Sequence, residues 1–335
     1  MRRILEIVTV LVSGAPAFPF SQDFSANGSL AKWTTPGTWA VAGGRAVCTP
    51  TEGAEDISNG DMEAGDPPTG WTPIASAALA SVADERTGGA GSKSMSVTNG
   101  LAATGYAVQT LHNTANTWVR YRMWAKRLGA SNLSMVHRMF TSGFADVFGT
   151  YSSVITDNNW YARDNTCRLI GNGCQAVAGS HGSTLGAAAQ YDDVSVVPLT
   201  GLTMYRKAAS LGNFRAAWTI ATCMQAGLDI LVNDPTTPTR YVRAYVDRID
   251  SKMYAWKVID GTWTAVLAGT TIVYSADAYV EIRHSVSGTM QFYYNNAQVG
   301  TDKTVSDVEL LSNTYAGPFS TNGGNSLKSF FATAA

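Results

Sequence analysis

Asn59-Gly60-Asp61-Met62-Glu63, followed by Pro67-Pro68-Thr69-Gly70-Trp71, opens a segment that closes on Tyr191-Asp192-Asp193-Val194-Ser195-Val196. An acidic turn running to an aromatic residue begins it, and a short alternating strand with two carboxylates ends it. Between these bookends lie the strand-like stretches 94–97, 105–111, 118–126, 134–140, 154–156 and 160–163, before the closing strand 191–197. Turn residues part them at the spacing of a β-sandwich. The stretch 118–126 is the most informative. Side chains alternate across a strand, so Val119, Tyr121, Met123 and Ala125 form one face, which reads as core. Trp118, Arg120, Arg122, Trp124 and Lys126 form the other, with two indoles and three cations that an ordinary core would not take.

Working outward, residues 201–335 hold strand candidates at 214–222, 227–232, 241–248, 252–259, 263–267, 278–285, 289–294 and 329–332. Asp260-Gly261 and Asn295-Asn296 read as tight hairpin turns. Upstream, Thr38-Trp39-Ala40-Val41, Gly43-Gly44 and Arg45-Ala46-Val47 read as two short strands around a glycine turn. A lone hairpin is not a stable domain, so this one needs partner strands from elsewhere in the chain. No stretch shows helical 3.6-residue periodicity over any length, and 219–229 is the one ambiguous run.

Two resemblances follow from these residues. The pair of bookends resembles the jelly-roll carbohydrate-binding modules, which often start on an N-G-D-F-E-like run, continue to G-W and end in a D-D-V-S strand. The hairpin at 38–47, with Lys257-Val258 through Gly261 to Trp263 and Tyr294-Asn295-Asn296 through Val299-Gly300, resembles the laminin-G or concanavalin A-like lectin jelly roll. Asn295-Asn296 stands where that family usually has Asn-Gly. Together they imply an all-β chain of two antiparallel jelly-roll β-sandwiches, one inserted into the other. The implied divisions are an N-terminal arm or strand at 1–20, a discontinuous laminin-G-like domain at 21–56 and 201–335, and an inserted carbohydrate-binding-module-like domain at 57–199.

Composition agrees with an all-β chain. The 335 residues suit about two domains. Charged residues make up 15%, below the usual level of about 25%, and glycine is plentiful at 32. A net charge of −1 gives no electrostatic reason to expect nucleic-acid binding. No apolar run reaches the roughly 18 residues that cross a bilayer. Residues 1–20 combine two arginines, a short apolar run and Ala15-Pro16-Ala17, which imitates a secretory signal with its cleavage site. Glu6 and Thr9 interrupt the run, and its β-branched residues suit a strand equally well, so the preferred expectation is a retained arm that pairs with a neighbour.

Cys167 and Cys174 flank the turn signal Asn172-Gly173 and could pair across a hairpin, leaving Cys48 and Cys223 as the other pair; four free thiols are the alternative. Neither spacing matches a zinc site. Glycosidases need two facing carboxylates, and jelly-roll hydrolases often carry them as E-x-D-x-E. Glu281-Ile282-Arg283 and Asp247-Arg248-Ile249-Asp250 come nearest and lack the alternation. His112, His137, His181 and His284 form no metal-binding motif, and no nucleophile elbow or P-loop is present. The expectation is therefore non-enzymatic.

Sugar binding uses flat aromatic faces with planar hydrogen-bonding groups beside them. Trp118, Arg120, Arg122 and Trp124 are the candidates in the inserted segment, with Tyr254 and Trp256 in the flanking one, where Tyr241, Arg243 and Tyr245 also share a face. Trp39, Trp71, Trp160 and Trp263 match core positions of the two families. The carbohydrate-binding-module resemblance also implies a structural calcium ion joining the first acidic turn to the last strand, on Glu63 and Asp193 with Asp61 and Asp192 beside them. The two resemblances together imply a virion surface or structural protein of a bacteriophage (decoration, fibre or tail type), a homo-oligomer with surface glycans, copies of itself or other virion proteins as partners. The competing expectation is a secreted bacterial carbohydrate-binding protein or an accessory module of a glycan-degrading system.

Overall fold

The computed structural model describes residues 20–333, apart from 26–28, 35–37, 84–85, 87, 90, 101–103, 129–133, 152–156, 182–185, 209–210 and 286. The arm expected at 1–20 (save Phe20) and the strand expected at 154–156 lie outside the described residues. The chain is all-β, and its described helix is the single turn Val308–Leu311. Every ladder between its strands is antiparallel.

Two hydrophobic cores organise these strands. The first lies between a nine-stranded sheet and the six-stranded sheet Arg206–Lys207, Tyr315–Ser320, Gln225–Val232, Arg240–Asp247, Lys252–Ile259, Thr262–Thr271. Trp218, Phe214, Phe292 and Phe330 fill it from the nine-stranded side, and Leu228, Val242, Val246 and Ala255 from the other. The nine-stranded sheet runs Thr38–Ala42, Arg45–Thr49, Ser326–Thr333, Gly212–Thr219, Ala278–His284, Thr289–Tyr294, Ala297–Gln298. Phe20–Asp23 also pairs with Ser326–Thr333, and Arg45–Thr49 meets that strand at Ala46 and Leu327. The upstream hairpin thus finds its partner strand at the far end of the chain.

The second core lies between the five-stranded sheet Asp146–Tyr151, Ser134–Phe140, Gln175–His181, Thr104–Thr110, Thr72–Ile74 and a second six-stranded sheet. In the latter, Tyr161–Arg168, Trp118–Leu128, Ala188–Thr200, Ser94–Thr98 and Ala78–Val82 lie in order, with Thr51–Glu52 pairing on Ala188–Thr200. Val119, Tyr121, Met123 and Ala125 are fully buried in this core, as the alternation of 118–126 predicts.

The bookends meet. The Gly60 carbonyl accepts from Val194 N–H at 2.9 Å, and a Cβ on Gly60 would stand 2.0 Å from the Val194 carbonyl oxygen. Only glycine allows that approach. Asn59 holds the turn with its side chain, donating to the Ala64 and Thr69 carbonyls and accepting from Ala64 N–H. Met62 and Trp71 then enter the core. The Asp192-Asp193 end of the closing strand carries a bulge, with Asp192 opposite Trp124, Ser195 opposite Arg122, and Asp193 at a φ of 48°.

Several strands were not legible from pattern. Tyr315–Ser320 holds Gly317 and Pro318, which argue against a central strand. Gly317 is required because a Cβ there would meet the Met204 carbonyl oxygen at 1.8 Å. Gln175–His181 is built mainly of small residues.

The expected disulfide does not form. Cys167 and Cys174 are free, as are Cys48 and Cys223. The Cys167 thiol sits 3.6 Å from the Met139 sulfur, and that of Cys174 donates to the Gly171 carbonyl at 3.2 Å. Cys48 donates to the Gly201 carbonyl at 3.3 Å, and burial pushes its thiol up to about 12. Cys48, Cys167 and Cys174 behave as small buried hydrophobes, and Cys223 is half-buried.

Candidate functional site

The two sandwiches pack on each other, and the packing explains the mixed face of Trp118–Leu128. Trp118 stands edge-on to Tyr245 at 5.6 Å and leans on Phe319 at 5.1 Å, both from the other sandwich, with Leu199 and Leu202 completing the cluster. Arg168, the cross-strand partner of Trp118, is also buried. Its guanidinium lies 4.3 Å from the rings of both Trp256 and Trp263 and donates to Asn116 Oδ1 at 2.6 Å. Thr166 bonds Gln225 and Thr321 across the same seam, and the Gln225 amide donates to the Thr166 carbonyl at 2.7 Å. Cation–π contacts of buried arginine and buried polar bonds of this kind resist sliding of the two halves.

At the edge of this seam is a cavity of about 260 Å³ lined by Trp118, Arg168, Tyr245, Asp247, Tyr254 and Trp256, with Asp250 at its rim. Its size is near the lower end of small-ligand sites, roughly 300 Å³, and admits one sugar-sized ring rather than a long chain. Tyr245 and Tyr254 stack at 5.5 Å with an interplanar angle of 21°. The Tyr254 hydroxyl donates to Asp250 Oδ2 at 2.5 Å. The Trp118 indole N–H is buried without a hydrogen-bond partner among the described residues. A tight turn positions the carboxylates: Asp247 accepts from Ile249 N–H at 2.8 Å, Asp250 from Lys252 N–H at 3.2 Å, and Ser251 takes a φ of 55°. Burial lifts the Asp247 carboxyl to about 7, against the bonds it accepts from Ile249 and, at 3.1 Å, from Gln225. Burial and then the bond to Asp250 raise Tyr254 far above the usual phenol range.

The structure thus brings Trp118, Tyr254 and Trp256 together, although they belong to different sandwiches. It separates them from the other candidates. Trp118 is corrected from an exposed sugar platform to a seam residue, 6% exposed. Arg120 is held by Asp164, with Nε–Oδ1 at 2.8 Å, and by Glu52 at 3.0 Å. Arg122 pairs with the same Glu52. Trp124 is half-buried under the Arg86 guanidinium, 4.4 Å from its ring. The cations of this face are therefore engaged within the protein. Tyr245, Asp247 and Arg168 complete the cavity, and Asp247 continues the period of two set by Tyr241, Arg243 and Tyr245, a signal present in the sequence.

The four carboxylates expected to hold calcium have hydrogen-bond partners within the protein. Glu63 accepts from Ser92 N–H and from Lys93 N–H, the latter at 2.6 Å, and these bonds hold its carboxyl below the usual range. Asp193 pairs with the Arg86 guanidinium, and Asp192 accepts from Arg86 N–H at 3.1 Å. Burial raises the Asp192 carboxyl to about 6. Asp61 accepts weakly from Glu63 N–H at 3.5 Å. Among the described residues no three His, Cys, Asp or Glu side chains converge on a metal position. Lys93 engages the acidic turn and Arg86 the closing strand, and the Val194 N–H to Gly60 carbonyl bond joins the two.

No protein-family model matches the chain, and no curated protein matches it. Solved structures with distant similarity to the chain are found. The chain is similar to the tandem CBM22-1–CBM22-2 domain of Paenibacillus barcinonensis Xyn10C, at 9% identity and a TM-score of 0.34, over 86% of this chain and 98% of that one. It is similar to the CBM22-1 xylan-binding domain of the same protein, at 14% identity and a TM-score of 0.34, over 45% of this chain and 97% of that one. It is also similar to the enzymatically active domain of tailspike protein 4 of bacteriophage CBA120, at 18% identity and a TM-score of 0.33, over 43% of this chain and 21% of that one. Likeness at this level carries no argument about this chain.

Proposed function

We propose that this chain is a non-enzymatic glycan-binding protein whose seam cavity takes a terminal sugar unit. The observation that carries the reading is the convergence of four aromatic side chains, Trp118, Tyr245, Tyr254 and Trp256, with Asp247 and Asp250 around one ring-sized space. Aromatic walls stack on the C–H faces of a pyranose, and the carboxylates accept from its hydroxyls.

We further propose the domain division 21–56 with 201–335 around an inserted 57–199, supported by the pairing of Phe20–Asp23 and Arg45–Thr49 with Ser326–Thr333. The biological setting proposed is a virion surface, with the chain assembling as a homo-oligomer that attaches to host glycans. The competing setting is a secreted carbohydrate-binding protein, favoured by the apolar run and Ala15-Pro16-Ala17.

The test is a glycan array on the full chain, followed by titration calorimetry of the best hit with Tyr254→Phe and Asp250→Asn. Neither substitution empties the core. Binding weakened tenfold or more, at an unchanged melting temperature, is the expected result. An array with no hits, or variants that bind as the parent does, would overturn the reading.

A further inference from the structure

The nine-stranded sheet has an outer face, turned away from the core, that the seam cavity does not use. Along Gly212–Thr219, Phe214, Ala216 and Trp218 point into the core, so Arg215 belongs to the outer face. The ladder places Arg215 opposite Phe331 on one side and Glu281 on the other, with Tyr293 beyond Glu281. Tyr279 lies diagonally across from Arg215, opposite Ala217.

The two arginines of this face differ. Arg283 is neutralised: its Nε donates to Glu281 Oε1 at 2.7 Å, and its guanidinium lies 3.8 Å from the Tyr293 ring. Arg215 has no hydrogen-bond or ion-pair partner among the described residues. Its guanidinium instead sits 4.6 Å from the Tyr279 ring and 4.9 Å from the Phe331 ring, which are 6.1 Å apart and both half-buried. Glu281 is 3% exposed, and its Oε2 is buried with no hydrogen-bond partner among the described residues. The patch therefore holds one uncompensated positive charge with five donors in a rigid fork, flanked by flat rings.

That combination matches one chemistry. A carboxylate takes two parallel bonds from a guanidinium. A pyranose ring bearing that carboxylate presents a C–H face to the flanking rings. We propose that this outer face, centred on Arg215, is a second saccharide subsite selective for a carboxylate-bearing sugar of the uronic acid type. It is separate from the seam cavity and does not depend on it. An acidic peptide would satisfy the guanidinium but has no ring to lay on Tyr279 and Phe331.

The experiment is calorimetric titration of the full chain at low salt with a galacturonate oligomer, a neutral galactose oligomer of equal length and an oligoglutamate peptide. The parent, Arg215→Gln, Arg215→Lys and Tyr254→Phe are compared, with melting temperatures as a folding control. The expected result is galacturonate binding by the parent, lowered at least tenfold in Arg215→Gln and partly in Arg215→Lys, and kept in Tyr254→Phe. Oligoglutamate should bind at least tenfold more weakly. Absence of galacturonate binding, equal binding by folded Arg215→Gln, or equal binding of the peptide or the neutral oligomer would each overturn it. Galacturonate binding lost in Tyr254→Phe but kept in Arg215→Gln would assign the ligand to the seam cavity instead.

Discussion

Removing the charge of Asp247 should change how the stability of this protein depends on pH. Its carboxyl lies in the seam cavity, lifted by burial from the ordinary 3.8 to about 7. A carboxyl whose folded value is raised binds more protons folded than unfolded between those limits, so stability falls as pH rises through that window. Three units at about 1.36 kcal/mol each give about 4 kcal/mol as the ceiling. Asp247 is partly buried, and screening by water reduces this to about 2–4 kcal/mol. Asp247→Asn abolishes the titration. It also turns an amide N–H₂ toward the Gln225 donor, which now bonds Asp247 at 3.1 Å. That mismatch costs about 1–2 kcal/mol and does not vary with pH. Urea unfolding of parent and variant, followed by tryptophan fluorescence from pH 4 to pH 8, separates the two effects. The variant should gain about 2–4 kcal/mol on the parent across the range, most of it between pH 5 and pH 7. A difference that stays flat with pH would refute the assignment of a raised carboxyl at Asp247.

Three further outcomes are expected. Trp118→Ala should destabilise by about 3–5 kcal/mol, as emptying a large buried site does, whereas Trp124→Ala should cost about 1–2 kcal/mol because that indole is half-buried under Arg86; equal losses in thermal unfolding would contradict the seam packing. Chelation by EDTA should leave the melting temperature unchanged, since Arg86 and Lys93 engage the carboxylates; a calcium ion at about 100 times its dissociation constant would add about 2.7 kcal/mol, so a fall of several degrees would restore the metal reading. The fragment 57–199 should show a cooperative melt alone and 201–335 should not, because the latter lacks the strands that pair with Ser326–Thr333; a folded 201–335 would sink the insertion proposal.

Much of the strand map was legible because alternation is a local signal: Val119, Tyr121, Met123 and Ala125 mark a buried face whatever lies across from it. The bookends were read through a resemblance, and the close approach of Gly60 to Val194 that joins them is a tertiary contact. Strands of small residues or with Gly and Pro, such as Gln175–His181 and Tyr315–Ser320, escaped because their place comes from neighbours rather than from their own propensity.

The candidate site was half legible. Sequence alone determined that Trp118, Tyr254 and Trp256 are aromatic side chains on strands, and that Tyr254 and Trp256 share a face. Only the tertiary structure decided that Trp118 meets them, because that contact joins residues more than a hundred positions apart across two separate cores. The same holds for charge. Arg120, Arg122 and Arg86 look free in the sequence, and ion pairs with Glu52, Asp164 and Asp193 engage them in the fold. Arg215 attracted no notice in the sequence, and the fold leaves it between two rings. Which faces exist follows from the order of side chains along a strand. Which face meets water, a partner sheet or a ligand follows from how the sheets stack, and no local rule encodes that.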